Sequence, residues 1–276
     1  MKNIAVIGCG SIGKRHAENL IALGCKVWAY DPALDTYWCG KNNINICQSA
    51  EIAMHRAEAV VIASPSRCHY DDIIAALAMK RHIFVEKPVL LNDQKIIFEK
   101  RKEVFMVGHM LRFHPAVFDF ESGKKDNLGT PIWAQFTVAQ KSEKDAYLKN
   151  GVTINWAIHE IDLALYLLGP AEVECATGGH MMVDFVLRHK NGCRSSFHAD
   201  YYTNPEVRDF RIIGEKGFYW ADLRKSNWDD IYKHEIASFL NLCNEINVHN
   251  KIATYEDGYA ACQIAWEVER MIGVCP

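Results

Sequence analysis

Three glycines near the start of the chain have the spacing of a phosphate-binding turn: Gly8, Gly10 and Gly13. The apolar run before them predicts a buried strand, and a helix is predicted from about Ser11. Gly8 permits the tight turn, Gly10 lets the backbone approach a pyrophosphate, and Gly13 lets the helix pack closely on the strand. The first helical turn, which contains Ser11 and Ile12, offers unpaired N–H groups to phosphates. The segment therefore predicts a bound dinucleotide.

Asp31 ends the second predicted strand, where a carboxylate can hydrogen-bond both ribose hydroxyls of an adenosine. The same carboxylate repels a 2′-phosphate, and the next residues, Pro32, Ala33 and Leu34, supply no Arg to bind one. The sequence therefore predicts NAD(H) rather than NADP(H) as the cofactor.

The composition sets limits on the class of protein. The 276 residues are enough for two domains, and 49% of them are hydrophobic, which is ordinary for a globular protein. A net charge of −3 gives no electrostatic basis for binding nucleic acid or an anionic membrane. No apolar run approaches the roughly 18 residues of a membrane-spanning helix. We therefore expect neither a nucleic-acid partner nor a membrane partner.

The cysteines bear on the cellular location of the protein, and the histidines bear on whether it binds a metal. A strand is predicted from residue 3, which leaves no room for a signal peptide, and the ten cysteines are scattered without a CxxC pair. We therefore expect reduced thiols in a cytoplasmic protein. The twelve histidines form no HxxxH or HExxH pair, and His109 with His114 alone is not a site, so no metal site is predicted.

The order of predicted elements indicates two domains. Strands and helices alternate over the first 110 residues, which predicts a doubly wound parallel Rossmann sheet. Later strands follow one another across short turns, which predicts an α+β domain with an open, mainly antiparallel sheet. A helix at about 155–168 precedes that sheet, and two helices close the chain. We place the dinucleotide-binding domain at 1–118 and the substrate-binding and oligomerisation domain at 119–276.

Polar residues follow three of the parallel strands. Ligands bind outside the carboxyl ends of the strands in open α/β sheets, so these residues line one predicted rim. The fourth strand is followed by Ser64, Pro65, Ser66 and His69. The fifth ends in Glu86-Lys87-Pro88, and the sixth is followed by Arg112.

Together with Asn155, His159 and Asp162, these segments resemble the Gfo/Idh/MocA family of sugar and cyclitol oxidoreductases. The resemblance covers essentially the whole chain, and Glu-Lys-Pro at a strand end downstream of the glycine motif is its most specific element. The family implies that Lys87 reaches the reacting hydroxyl of a substrate lying over the nicotinamide. A base for the hydroxyl proton and a cation for the developing alkoxide are what alcohol oxidation requires.

Each catalytic residue also has a structural alternative. Lys87 could be a surface lysine at a strand end, and Glu86 either lies near the nicotinamide or partners a nearby cation. His159 matches the acid/base histidine of the family, or is a polar residue on an amphipathic helix. The family often has an aspartate four residues earlier, where this chain has Asn155. An amide orients the ring without stabilising imidazolium, which leaves open whether Lys87 or His159 dominates.

The remaining candidates are weaker. Trp156 would stack against a sugar face or belong to the core. Arg112 would bind a substrate hydroxyl, carboxylate or phosphate, or form a structural ion pair. Asp162 is a substrate contact or a helix-surface acid. His69 and Ser66 resemble positions that line the cofactor, and a helix N-cap accounts equally well for Ser66.

The leading hypothesis is an NAD-dependent dehydrogenase, or reductase, acting on a ring hydroxyl or ketone of a sugar, sugar derivative or cyclitol. One alternative is an imine or tetrapyrrole reductase on the same fold. Another is a non-catalytic NAD-binding regulator, because a fold does not fix function. The family leads us to expect a homodimer or homotetramer that uses the exposed sheet of the second domain.

Overall fold

The computed structural model describes residues 2–97, 102–142, 151–246 and 252–274. Its packing divides the chain into two compact units. Unit 1 consists of Met1–Met110 and Trp228–Gly258, and unit 2 consists of Leu111–Asn227 and Tyr259–Pro276. Each unit thus contains two separate stretches of chain, whereas the sequence suggested one cut between 118 and 119. Those domain limits stay a prediction.

Unit 1 contains a six-stranded sheet in the order β3-β2-β1-β4-β5-β6, and every neighbouring pair is parallel. The strands are β1 (Asn3–Ile7), β2 (Lys26–Tyr30), β3 (Asn45–Ile46), β4 (Ala59–Ile62), β5 (His82–Glu86) and β6 (Phe105–Gly108). The central strand β4 is fully buried, as expected of a parallel sheet covered on both faces. The predicted Rossmann sheet is confirmed. The strand order reverses between β1 and β4, which is where such sheets bind ligands.

Helices connect these strands and return the chain to the same edge of the sheet. They are α1 (Ser11–Ala22), α2 (Thr36–Lys41), α3 (Ala50–His55) and α4 (His69–Ala78). A 3-10 turn at Ser66–Cys68 precedes α4. In α1, Gly13, His16, Ala17 and Leu20 are buried, at the spacing of one helical face.

A helix from the C-terminal part of the chain completes unit 1. Helix α8 (Trp228–Cys243) packs on α1, where the rings of His16 and Tyr232 lie 6.0 Å apart and Arg15 forms an ion pair with Asp229 at 3.2 Å. The sequence placed this helix in the second domain.

Helical turns run from Met110, the last residue of the first stretch of unit 1, into the first stretch of unit 2. They are a 3-10 turn (Met110–Phe113), α5 (Pro115–Asp119), a π turn (Phe120–Lys124) and α6 (Lys125–Leu128). Later come a π turn at Thr153–Ala157, α7 (Ile158–Leu168) and most of α9 (Tyr255–Met271). Gly123 lies inside the π turn and has a φ of 159°.

The second sheet is mixed, in the order β12-β11-β7-β10-β9-β8. Its strands are β7 (Pro131–Ala139), β8 (Ala171–Gly178), β9 (Met182–His189), β10 (Arg194–Asp200), β11 (Val207–Gly214) and β12 (Gly217–Asp222). Only β7 and β10 pair in parallel, so the mainly antiparallel prediction holds. The sequence pattern did not predict β8, where apolar and polar residues alternate only as far as Cys175 and the register shifts between Val173 and Cys175.

A ladder of phenylalanines forms the inner face of the second sheet. Phe185, Phe197, Phe136 and Phe210 stand on four neighbouring strands, with ring centroids 4.4, 5.1 and 5.9 Å apart in that order. Cross-strand aromatic pairs of this kind fix the register of a sheet.

Within the part of the chain that the structure describes, no helix is long and apolar enough to cross a membrane.

Candidate active site

The glycine-rich turn of unit 1 has the geometry that the sequence requires. Gly8 has a φ of +86°, and a Cβ there would lie 2.4 Å from the main-chain nitrogen of Ser64. A Cβ at Gly13 would lie 1.9 Å from the carbonyl oxygen of Gly8. A Cβ at Gly10 would have no atom of the described residues within 4 Å. No side chain caps the N-terminus of α1, which begins at Ser11. The turn is therefore tight on its protein side and open at Gly10.

Asp31 is held beside this turn. One carboxylate oxygen accepts from the main-chain N–H of Cys9 at 2.7 Å, and the other accepts from that of Ala33 at 2.7 Å. Each carboxylate oxygen has two lone pairs, so these bonds leave acceptor capacity for a ribose hydroxyl. With the open position at Gly10 and the uncapped helix start, the residues present fit the diphosphate and adenosine ribose of a dinucleotide.

His69, which the sequence predicts to line the cofactor site, connects two loops at the rim of the sheet. It is 1% exposed, and its ring nitrogens lie 2.8 Å from the carbonyl oxygen of Pro88 and 2.9 Å from that of Ser64. Burial lowers the pKa of His69 although both carbonyls favour its protonated form. Ser64 also donates its hydroxyl proton to Asp72 at 2.6 Å. His69 thus fixes the backbone of the rim.

The neighbouring residues Pro65 and Ser66 lie in the same loop. Pro65 precedes the 3-10 turn that Ser66 begins, and the side chain of Ser66 caps no helix. The N-cap alternative for Ser66 is therefore wrong.

The Glu86-Lys87-Pro88 segment ends β5, two strands from the glycine-rich turn after β1. Strands lie about 4.8 Å apart, so β5 runs about 10 Å from β1. The Lys87–Pro88 peptide bond is cis, and Lys87 is half-buried. Glu86 is buried; one of its carboxylate oxygens lies 2.7 Å from Nε2 of His16, and the other accepts from the N–H of Lys87 at 3.3 Å. Glu86 is therefore a hydrogen-bond partner of His16, and its place near the nicotinamide stays a prediction.

The charge state of Glu86 follows from these neighbours. Burial by itself raises the pKa of the Glu86 carboxyl, but the hydrogen bond and charge of His16, then the charge of Lys87, bring it below its ordinary value. Gly108 makes room for this side chain, since a Cβ there would lie 3.3 Å from Cδ of Glu86.

Glu235 is a buried acid at the site that sequence reasoning missed. It is 0% exposed on α8, and its carboxylate lies within 4.8 Å of the nearest ligand atoms of His16 and Glu86. A signal was present, because an acid occupies position 235 between Ile231 and Phe239 on the apolar stripe of a helix.

The second-unit candidates lie on the π turn and α7. Asn155 donates its amide N–H to the hydroxyl of Tyr201 at 3.1 Å, and that hydroxyl donates to the carbonyl of Gly151 at 3.1 Å. The ring of Trp156 meets that of Tyr201 edge-on at 4.6 Å. His159 is 6% exposed and lies in the first turn of α7. Tyr201 therefore orders the segment that presents these residues.

Arg112 and Asp162 form a buried ion pair with each other. Arg112 donates Nε–H to one carboxylate oxygen at 2.9 Å and a terminal N–H to the other at 2.6 Å, and Tyr166 stacks on the guanidinium at 4.6 Å. Asp162 is 0% exposed, so it is not the helix-surface acid that the sequence allowed. The geometry matches the structural alternative for Arg112. Lys87 belongs to unit 1 and His159 belongs to unit 2.

A doubly wound sheet with a glycine-rich turn, followed by a mixed sheet behind a helix that presents His159, defines a two-unit protein of the dinucleotide-binding class. The family model "Oxidoreductase family, NAD-binding Rossmann fold" matches residues 2–109, and the model "GFO/IDH/MocA C-terminal domain" matches residues 124–220. The chain belongs to the Gfo/Idh/MocA family, as the resemblance predicted.

Individual relatives give the same result. The chain is 34% identical over 194 residues to scyllo-inositol 2-dehydrogenase (NAD(+)) of Bacillus subtilis, which covers 63% of this chain and 56% of that protein. It is 27% identical to myo-inositol 2-dehydrogenase of Thermotoga maritima, over 79% of this chain and 75% of that protein. A crystal structure of a probable dehydrogenase from Thermotoga maritima superimposes with a TM-score of 0.88 at 21% identity, covering 98% and 97% of the two chains. The first of these alignments spans little more than half of the curated relative.

Proposed function

We propose that this protein is an NAD-dependent oxidoreductase that acts on a ring hydroxyl or ketone of a cyclitol, sugar or sugar derivative, including a nucleotide sugar. The observation that carries the proposal is the position of Lys87. It directly follows β5, which lies two strands from β1 and its glycine-rich turn, at the edge of the sheet where ligands bind. The inositol dehydrogenases among its relatives support the substrate class.

The proposed mechanism assigns the protein's own groups to the alcohol. Lys87 binds the reacting hydroxyl and stabilises negative charge on its oxygen as the proton leaves. His159 accepts that proton, and Asn155, held by Tyr201, belongs to the same segment and orients the imidazole. The bound cofactor supplies the hydride acceptor for oxidation and the hydride donor for reduction. Because the amide of Asn155 orients the imidazole without stabilising its protonated form, Lys87 is the alternative proton acceptor in this proposal.

The cofactor is proposed to be NAD(H), held at Gly8, Gly10 and Gly13 with Asp31 at the ribose. The three residues that follow Asp31, which are Pro32, Ala33 and Leu34, supply no cation for a 2′-phosphate. We also propose a homodimer or homotetramer and a cytoplasmic location, as the sequence suggested.

A substrate panel tests the activity. NAD+ reduction and NADH oxidation should be measured with inositols, hexoses, their keto forms and nucleotide sugars. On the substrate so found, Lys87→Ala should lower kcat on the order of 10²-fold or more while NADH affinity by calorimetry stays within about twofold. Lys41→Ala, which changes an exposed lysine at the end of α2, is the matched control. Near-normal turnover in Lys87→Ala would remove this lysine from the mechanism. NADH binding without turnover on any substrate would favour the regulator.

A further inference from the structure

Unit 1 contains a buried group of three ionisable side chains beside Lys87, here called the His-Glu-Glu cluster: His16 on α1, Glu86 at the end of β5 and Glu235 on α8. Their exposed fractions are 0%, 7% and 0%. One ligand atom of each lies within 4.8 Å of one ligand atom of the other two. Such burial of three titratable groups is expensive unless their charges compensate one another.

Aromatic rings pack around the cluster. The ring of His16 packs edge-on against Phe84 at 5.0 Å, and Phe84 packs against Phe239 at 5.7 Å. These aromatic groups make the medium around the cluster apolar, so Coulomb interactions inside it are weakly screened.

A proton on His16 would balance these charges and suits the 2.7 Å contact between Nε2 of His16 and the carboxylate of Glu86. With both carboxylates ionised and His16 neutral, two negative charges would lie within 4.8 Å of each other in an apolar medium. Protonation of His16 reduces the sum to −1, and the ammonium group of Lys87, next to Glu86 in the chain, offsets the remainder. Other nearby charged or titratable groups are His69 on α4, which acts on Glu86, the exposed Arg15–Asp229 pair between α1 and α8, and Tyr232 on α8, whose ring lies 6.0 Å from that of His16.

We propose that the His-Glu-Glu cluster is a carboxylate–imidazolium–carboxylate triad, and that Glu235 is a positioning residue for Lys87. Glu235 keeps His16 positively charged, and His16 holds Glu86 at 2.7 Å. Glu86 in turn accepts the main-chain N–H of Lys87 at 3.3 Å. The role of Lys87 in this inference rests on the proposed function, whereas the charge state of the triad does not.

A divalent cation is the other arrangement that one histidine and two carboxylates can support. The direct contact between His16 and Glu86 favours a shared proton, because 2.7 Å is the length of a charge-assisted hydrogen bond. Elemental analysis of the purified protein decides between them. One equivalent of a transition metal would overturn the proposal.

The charge on His16 can be measured without any substrate. In protein labelled with 15N-histidine, the His16 signals are assigned by their loss in His16→Gln. At pH 7.5, wild type should show both ring nitrogens protonated, and Glu235→Gln should show a neutral ring. Glu235→Asp retains the negative charge and should retain the imidazolium signal. Glu256→Gln, in the exposed first turn of α9, should change nothing. A neutral His16 in wild type would overturn the triad.

Kinetics test the positioning role. Glu235→Gln should lower kcat on the order of tenfold to a hundredfold, as expected of a displaced reacting group, and leave NADH affinity and substrate KM within about twofold. Glu235→Asp should recover most of that loss, and Glu256→Gln should behave as wild type. Wild-type kcat in a folded Glu235→Gln whose His16 has lost its charge would overturn the positioning role. If Glu235→Gln does not fold, His16→Gln, which removes the central member of the triad, should show the same loss of kcat with NADH affinity and substrate KM within about twofold, and wild-type kcat in it would overturn the positioning role. Failure of wild type to turn over any substrate counts against the proposed function alone, because the NMR result stands independently.

Discussion

At the scale of single residues, Asp31 serves the protein and the proposed cofactor together. We expect wild type to bind NADH at least roughly tenfold more tightly than NADPH, a difference of about 1.4 kcal/mol, because the carboxylate repels a 2′-phosphate. Asp31→Ala should narrow that ratio mainly by weakening NADH, as measured by titration calorimetry.

The control for this prediction is Glu51→Ala, which removes an exposed acid on α3. Asp31→Ala also removes the acceptor for the N–H groups of Cys9 and Ala33, so Asp31→Asn should be measured beside it. Equal affinities of wild type for the two cofactors would contradict the assignment.

The Arg112–Asp162 pair illustrates how burial changes the cost, in free energy of unfolding, of breaking an ion pair. Asp162→Asn leaves a buried guanidinium without its countercharge, which should lower the free energy of unfolding by about 3 kcal/mol in urea titrations. Glu174→Gln breaks the comparable but exposed bidentate pair with Arg194 and should have little effect. Unchanged stability in Asp162→Asn together with a raised substrate KM would instead make Asp162 a substrate contact.

At the scale of elements, a histidine joins two strands on the outer face of the second sheet. The side chain of His198 on β10 lies 2.8 Å from Asp184 on β9 and 2.8 Å from Asp200 at the end of β10. Partial burial alone lowers the pKa of His198, but the hydrogen bonds to the two carboxylates outweigh it, so the net pKa is raised. The protonated ring therefore contributes stability to the folded state.

This contribution depends on pH in a defined direction. Because the folded pKa of His198 is raised, its contribution is complete below the unfolded value of about 6.5 and is lost as the pH rises through the folded value. The Tm difference between wild type and His198→Gln should thus be larger at pH 6 than at pH 9. His55→Gln, which changes an exposed histidine on α3, is the control. A Tm difference that grows with pH would refute this account.

The elements differ in how well the sequence predicted them. The parallel strands were found because their apolar runs are continuous, and Gly8 and Gly13 identified the turn because no other residue fits there. Strand β8 and the grouping of α8 with unit 1 were missed. Strand β8 pairs with its neighbour β9 across a register shift that interrupts the local pattern. The grouping of α8 depends on contacts between residues far apart in the chain, such as Glu235 with His16 and Glu86, which local periodicity does not reveal. The Arg112–Asp162 pair was left open for the same reason.

At the scale of the whole molecule, an apolar patch on the outer face of the second sheet bears on assembly. Ile213 on β11 lies opposite Trp133 on β7 and Phe218 on β12, so the three share a face, and Trp220 stands two residues beyond Phe218. Their exposed fractions lie between 36% and 70%. Contiguous apolar surface of this kind is typical of association sites.

We therefore expect Phe218→Asp to reduce the mass of the particle in light scattering from an oligomer towards a single chain. Ile46→Asp is the control, because Ile46 is 50% exposed on the edge strand β3 of unit 1. A wild-type protein that runs as a single chain at all concentrations would contradict the predicted homodimer or homotetramer.

The interruption of unit 1 by unit 2 has a consequence for biosynthesis. Between Met110 and Trp228 the ribosome must add the 117 residues of 111–227, which at about 5–20 residues per second takes roughly 6–25 s. During that interval α8 has not been synthesised, so the face of α1 that bears His16 is not yet covered by it. Glu235 arrives last, and a chaperone that shields this face would act in the period before it does.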